Sequence, residues 1–226
     1  MEGIDVSEYN GVIDWQKVKK AGKKFAILRA GIGQRSDVKL AYNVQECKAV
    51  DMPYGVYWFG KALDEATARL EAQACISALK AVGAKPEFGV WYDIEMMAQA
   101  KMKPAAFLAL YDAFDSVMKA NGYAVGLYSN KSILQVLYNA LPNRMDAIPV
   151  WLAQYNKEIT YTGNVDIWQY SDKGRVDGIT GDVDLDDLCD LEGYGMDDDE
   201  NDDNAETIRE KLAQIGVLLK EINEIL

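Results

Sequence analysis

The stretch Phe88-Gly89-Val90-Trp91-Tyr92-Asp93-Ile94-Glu95 is an apolar run that ends in two carboxylates two residues apart. Read as a buried strand over 87–95, it sends alternate side chains to opposite faces, so Asp93 and Glu95 share one face and Ile94 takes the other. A strand that is apolar along its length and turns acidic at its C-terminal end is poorly suited to core packing alone. Two carboxylates at close range cannot both ionise easily, so one keeps its proton towards neutral pH. That is the requirement of acid–base hydrolysis of a glycosidic bond. A strand end whose carboxylates simply face water would read the same way.

The segments on either side supply the frame. Residues 3–9, 25–31 and 53–59 read as strands, the first ending in polar residues. A helix over 14–21 has Asp14 as its N-cap and Gly22 as its stop. Another is expected around 40–50, and a third over 64–82 carries Ala68, Ala72, Cys75, Ile76 and Leu79 at helical spacing. After the acidic strand come a helix over 103–121 with Pro104 in its first turn, a strand at 124–129, a helix at 133–141 and a strand at 148–155. The helices then stop. Residues 165–170 read as a strand, and 175–185 as a short hairpin or edge segment.

Strands alternating with helices predict a parallel sheet with crossover helices. The expected fold is α/β, an irregular TIM-like (β/α) barrel over residues 1–192, with about five β/α units followed by strands lacking helices. A doubly wound open sheet is the alternative, and it would carry a glycine-rich phosphate turn after the first strand. Ser7-Glu8-Tyr9-Asn10-Gly11 is no such turn, and Gly31-Ile32-Gly33 is followed by Gln34-Arg35-Ser36 without the third glycine.

Composition removes several chemistries. The 226 residues contain no His, which excludes Ser-His-Asp and Cys-His catalysis and His-ligated zinc or haem. Cys47, Cys75 and Cys189 are far apart and odd in number, so no disulfide framework or thiolate metal site is expected, and all three read as small buried hydrophobes. No cofactor or metal is called for. A net charge of −12 disfavours nucleic acid, and no run approaches the roughly 18 apolar residues of a membrane span. Any catalyst here works with carboxylates, Tyr, Lys or backbone groups.

In a (β/α) barrel the C-terminal strand ends converge on one mouth, where chemistry sits. The residues expected there are Asp5, Asp93, Glu95 and Asp184, with Tyr57, Trp58, Tyr128, Trp151, Gln154 and Gln169. Four carboxylates within a ring of Tyr and Trp suit a sugar: aromatic faces pack on its apolar faces, and amides and carboxylates bond its hydroxyls. Each aromatic taken alone would equally suit barrel packing.

Six motifs in order, Gly3-Ile4-Asp5-Val6-Ser7, Ile13-Asp14-Trp15-Gln16-Lys17-Val18, Gly55-Val56-Tyr57-Trp58, Asp93-Ile94-Glu95, Ile167-Trp168-Gln169-Tyr170-Ser171 and Gly181-Asp182-Val183-Asp184-Leu185-Asp186, resemble the family 25 glycoside hydrolases. These are lysozymes of the N-acetylmuramidase type, found in bacterial autolysins and phage endolysins. The resemblance runs from residue 3 to about 192. It implies cleavage of the β-1,4 bond between N-acetylmuramic acid and N-acetylglucosamine in the peptidoglycan glycan strand. The family's proton donor matches Glu95, with Asp93 as the residue that modulates it. Its N-terminal aspartate matches Asp5, and that of its C-terminal motif matches Asp184. Asp186 stands where the family usually has Asn. The resemblance also raises attack by the substrate's own 2-acetamido oxygen, leaving the retaining or inverting course open. Other readings of the same chain are a non-catalytic carbohydrate-binding barrel and an oligomeric scaffold.

Met1-Glu2 leads directly into the first strand without a basic or apolar leader region. The expectation is therefore a phage or prophage endolysin made in the cytoplasm and acting on the wall after release, or a secreted autolysin whose leader was removed. Residues 193–226 hold ten acidic and three basic residues. Within them, 193–204 reads as an extended acidic linker, and it lacks the Gly and Glu positions of a calcium loop. Ile208, Leu212, Ile215, Leu219, Ile222 and Leu226 follow a heptad pattern with Leu at a and Ile at d. That pattern favours trimers or tetramers over dimers. The tail 205–226 is thus expected to make a homo-oligomer, or to dock on a separate wall-binding chain.

Overall fold

A computed structural model describes residues 1–189; the expected linker and oligomerisation helix, 193–204 and 205–226, lie outside the described residues. In chain order the strands and helices are β1 (Glu2–Val6), α1 (Trp15–Lys20), β2 (Phe25–Ile32), β3 (Arg35–Ser36), α2 (Leu40–Ala49), β4 (Tyr54–Phe59), α3 (Glu65–Ala81) and β5 (Val90–Asp93). There follow α4 (Met97–Ala100), α5 (Pro104–Lys119), β6 (Val125–Asn130), α6 (Lys131–Ala140), α7 (Pro142–Met145), β7 (Val150–Ala153), β8 (Ile167–Gly174) and β9 (Val183–Leu188).

The strands run β1-β9-β8-β7-β6-β5-β4-β2, and β1 also pairs with β2, which closes an eight-stranded barrel; β3 adds only a short antiparallel pairing to β2. All neighbours are parallel except at β9, which is antiparallel to both β8 and β1. The segment expected as a hairpin or edge therefore begins later, at Val183, and is the closing strand. It can be antiparallel because it follows β8 through a short connection and not through a crossover helix.

Each barrel strand separates its residues by parity. Ile4, Val6, Ala26, Leu28, Val56, Trp58, Val90 and Tyr92 belong to the main apolar cluster between strands and helices. Their alternates, including Phe25, Ile27, Trp91 and Trp151, fill the barrel interior and are buried. Large rings inside require small partners. A Cβ on Gly126 would lie 2.3 Å from the Trp91 ring, and one on Gly3 would lie 2.5 Å from Phe25. The helix starts follow from their sequence: Asp14, Asp64 and Asn130 accept the N–H groups of Lys17, Thr67 and Ile133, and Pro104 opens α5.

Several boundaries fall inside the expected ones; the acidic strand, for example, ends at Asp93 and not 95, and the 148–155 strand is Val150–Ala153. The acidic strand begins at Val90 and not at 87, since Gly89 has φ 68°, a left-handed conformation that ends strand pairing. β1 stops at Val6, where Ser7 caps a 3-10 turn over Glu8–Asn10. Cys47 and Cys75 are buried as expected, whereas Cys189 is exposed. It lies just past the last strand of the described residues.

Candidate active site

The C-terminal ends of the parallel strands open on a cleft of about 340 Å³, lined by Asp5, Arg29, Tyr57, Asp93, Glu95, Tyr128, Trp151, Tyr155, Gln169 and Asp184 among others. β5 delivers Asp93 at its last position, and Glu95 follows two residues later on the same side, while Ile94 turns into the outer apolar cluster. β1 and β9 pair with Asp5 directly opposite Asp184, so the closing strand carries its carboxylate to the mouth.

The floor is aromatic. The Trp151 ring lies edge-on to Tyr128 at 4.5 Å, to Tyr57 at 5.8 Å and to Trp91 at 6.0 Å between centroids. Above it runs a polar chain: Tyr128 and Tyr155 each donate an O–H to Gln169 Oε1 (3.0 and 2.9 Å), and Gln169 Nε2 donates to Asp5 Oδ2 at 2.6 Å. Gln169 is thereby locked with its amide N–H towards the carboxylate.

The carboxylates are held in protonatable states. Burial, with the Glu95 charge beside it, pushes Asp93 well above the ordinary carboxylate range, against an opposing pull from Arg29. Asp93 Oδ1 is buried without a hydrogen-bond donor among the described residues. Burial and then Asp184 raise Glu95, which remains partly accessible at the mouth. Asp184 is pushed up to about 6 by burial and by Asp172. Tyr57 and Tyr128 are raised far enough by burial to stay neutral donors. This is an arrangement in which an accessible carboxyl, raised above the ordinary carboxylate range, stands among further carboxylates, the makings of acid catalysis. Among the described residues, no group of three or more Asp, Glu, Cys or His is arranged to hold a metal ion.

The structure brings together Asp5, Asp93, Glu95, Asp184, Tyr57, Tyr128, Trp151 and Gln169, and leaves two expected residues outside. Trp58 alternates with Tyr57 on β4 and so faces the helices, fully buried, with its Nε1–H donated to Gly33 O at 2.8 Å. Gln154 lies just past the end of β7 and organises the following loop, accepting from Thr160 N and donating to Glu158 O. Residues that the sequence reading passed over are Arg29, Tyr155, Tyr9, Asn10, Ser7 and Phe59. Arg29 had a legible signal, as a lone charge in an apolar strand and of the same parity as Phe25 and Ile27.

The model of the glycosyl hydrolases family 25 matches residues 4–179. The chain belongs to that family. Its family 25 relatives include the autolytic lysozyme of Clostridium acetobutylicum, 25% identical over 97% of this chain and 66% of that protein. The chain spans about two thirds of the length of that lysozyme. Among solved structures, the modular autolysin LytC of Streptococcus pneumoniae is 29% identical with a TM-score of 0.72, covering 82% of this chain and 46% of that one. The bacterial lysozyme of Streptomyces coelicolor shares the fold, with a TM-score of 0.70 at 23% identity over 85% and 94% of the two chains.

Proposed function

We propose that this family 25 glycosyl hydrolase is a muramidase that cleaves the β-1,4 bond between N-acetylmuramic acid and N-acetylglucosamine in peptidoglycan. The observation that carries the reading is Glu95, an accessible carboxyl raised by burial and by Asp184, at the mouth of an aromatic-floored cleft. Glu95 gives its proton to the glycosidic oxygen as the C1–O bond breaks, and water, adding at C1, returns a proton to it. Asp93, buried behind Glu95 and itself raised by burial and by the Glu95 charge, modulates the acid as a neutral neighbour and helps hold the substrate. Asp5 and Asp184 face the positive charge that develops at the sugar ring and can orient its 2-acetamido group. Tyr57, Tyr128, Tyr155 and Gln169 supply ring faces and hydrogen bonds to the glycan. Its structural neighbours support this substrate: the autolysin LytC has been solved in complex with a synthetic peptidoglycan ligand. A catalytic domain of the endolysin ply40, from bacteriophage P40 of Listeria monocytogenes, is 25% identical to this chain. That likeness supports a lytic role on a bacterial wall.

Mass spectrometry of products from purified peptidoglycan is expected to show fragments with a reducing muramic-acid end. Fragments ending in reducing glucosamine, or no fragments, would overturn the assignment.

The heptad spacing of Ile208 to Leu226 supports a second element of the proposal, that the tail gathers several copies and multiplies weak wall contacts. Light scattering is expected to show a trimer or tetramer for the full chain and a monomer after deletion of 193–226. Two monomers would remove this element.

A further inference from the structure

Directly behind the proposed catalytic carboxylates lies one that the mechanism does not use. Asp186 of β9 is completely buried. Its Oδ1 accepts the Trp151 Nε1–H at 2.8 Å, and its Oδ2 has no donor among the described residues. It sits within hydrogen-bonding reach of Asp5, itself 4% exposed. The antiparallel register explains the approach: Asp5 is opposite Asp184, Asp186 is opposite Gly3, and both aspartates of β9 share the face of Asp5. Two ionised carboxylates in such contact need a cation or a proton between them. The cations nearby are committed elsewhere. Lys23 bonds Glu2 at 2.9 Å, and Arg29 is held by Asp37 and Glu8. A proton is what remains.

We infer that Asp186 is a positioning residue that keeps a proton and donates it to Asp5, so that the pair carries one negative charge and Asp5 is fixed at the cleft floor. The inference rests on the proposed muramidase reading of the site. The proton belongs on Asp186 because Asp5 already receives the Gln169 N–H, backed by the hydroxyls of Tyr128 and Tyr155. Asp186 is also the deeper of the two. The titratable and charged groups around it are Asp5 on β1, Asp184 on its own strand, Tyr170 on β8 and Lys23 before β2. Burial and Asp184 raise Asp186 to about 8, with the Trp151 N–H, the hydrogen bond with Asp5 and Lys23 pulling the other way; burial and the charge of Asp186 raise Asp5 as well, so the pair holds a proton between them. Loss of that proton places a second charge under Asp5 and drives the two apart.

Asp186→Asn keeps a donor to Asp5 that cannot ionise. A folded-state value raised above the unfolded one means that the folded chain holds a proton the unfolded chain has released. Stability is then lost with rising pH from about 4, the unfolded value, up to the folded value. The expected result is a Tm advantage of Asp186→Asn over the parent that grows across this window and levels off above it. In kinetics on purified peptidoglycan, the alkaline limb of log kcat/KM of the parent carries the ionisation of both Glu95 and Asp186 and reaches slope two. Asp186→Asn keeps slope one, the change lying in kcat. Asp186→Ala loses activity by about tenfold or more at pH values where Asp186 of the parent keeps its proton, as for a lost buried hydrogen bond to a charged group, and Asn restores most of it. A Tm difference independent of pH, or identical alkaline slopes in parent and Asn variant, overturns the inference. If the parent releases no muramic-acid ends, the muramidase reading fails while the Tm comparison still decides the proton. Should the Asn variant not fold, carbon-13 titration of the parent decides: an Asp186 carboxyl that titrates wholly at ordinary carboxylate pH overturns it.

Discussion

Glu95→Gln is expected to reduce cell-wall lysis by about 10²–10⁴-fold while leaving the fold intact, the range associated with loss of a general acid. Gln has the shape of the protonated Glu and cannot release a proton. Because burial already disfavours the charged form of Glu95, a neutral amide fits the site at least as well, and Tm should hold or rise. Turbidity loss of a wall suspension at the parental rate would end the assignment of Glu95 as the acid. Asp93→Asn and Asp184→Asn are expected to do less damage, since each acts on Glu95 and the substrate without transferring the proton. The acid limb of the rate profile should be altered by Asp184→Asn, because Asp184 titrates at about 6.

Arg29→Met is expected to be the most destabilising single substitution near the site. The Arg29 Nε bonds Asp37 Oδ2 at 2.6 Å and an outer nitrogen bonds Glu8 Oε1 at 2.7 Å, with Arg29 6% and Asp37 1% exposed. Met fills much of the same volume but leaves the Asp37 carboxylate buried with only the N–H groups of Glu8 and Lys39. Breaking a buried pair from one side costs about 3–5 kcal/mol. In a domain of this size that corresponds to a Tm loss of roughly 6–20 °C. Calorimetry at neutral pH checks it. The same substitution removes the cation that opposes the rise in Asp93 and frees the Tyr9 ring, now 4.9 Å from the guanidinium. A parental Tm would show that the pair adds nothing.

The alternation of apolar strands with capped helices makes the barrel readable in the sequence, and two-residue periodicity alone puts Asp93 and Glu95 on one side. The same periodicity, applied strictly, separates Tyr57 from Trp58. An aromatic pair at a strand end reads as two sugar-stacking rings only when that parity is ignored. Gln154 was misplaced for another reason. The chain turns after Ala153, and a polar side chain there meets the loop backbone before it can meet a ligand. Tyr155 could not be placed from the sequence because it lies past its strand, where a long loop sets its direction. The closing strand is hard to read because Val183-Asp184-Leu185-Asp186 alternates apolar and acidic residues, as an exposed edge strand would. In fact the acidic parity faces a polar barrel mouth.

The position of that strand also has a consequence in time. A chain emerging from the ribosome has made β1 and the Asp93–Glu95 corner long before residues 183–188 exist. Until they do, the barrel has a gap between β1 and β8, and neither Asp184 nor the partner of Asp5 is in place. Partial products of synthesis therefore carry the proposed acid without its surroundings. The bond-breaking machinery becomes whole only with the last strand of the domain.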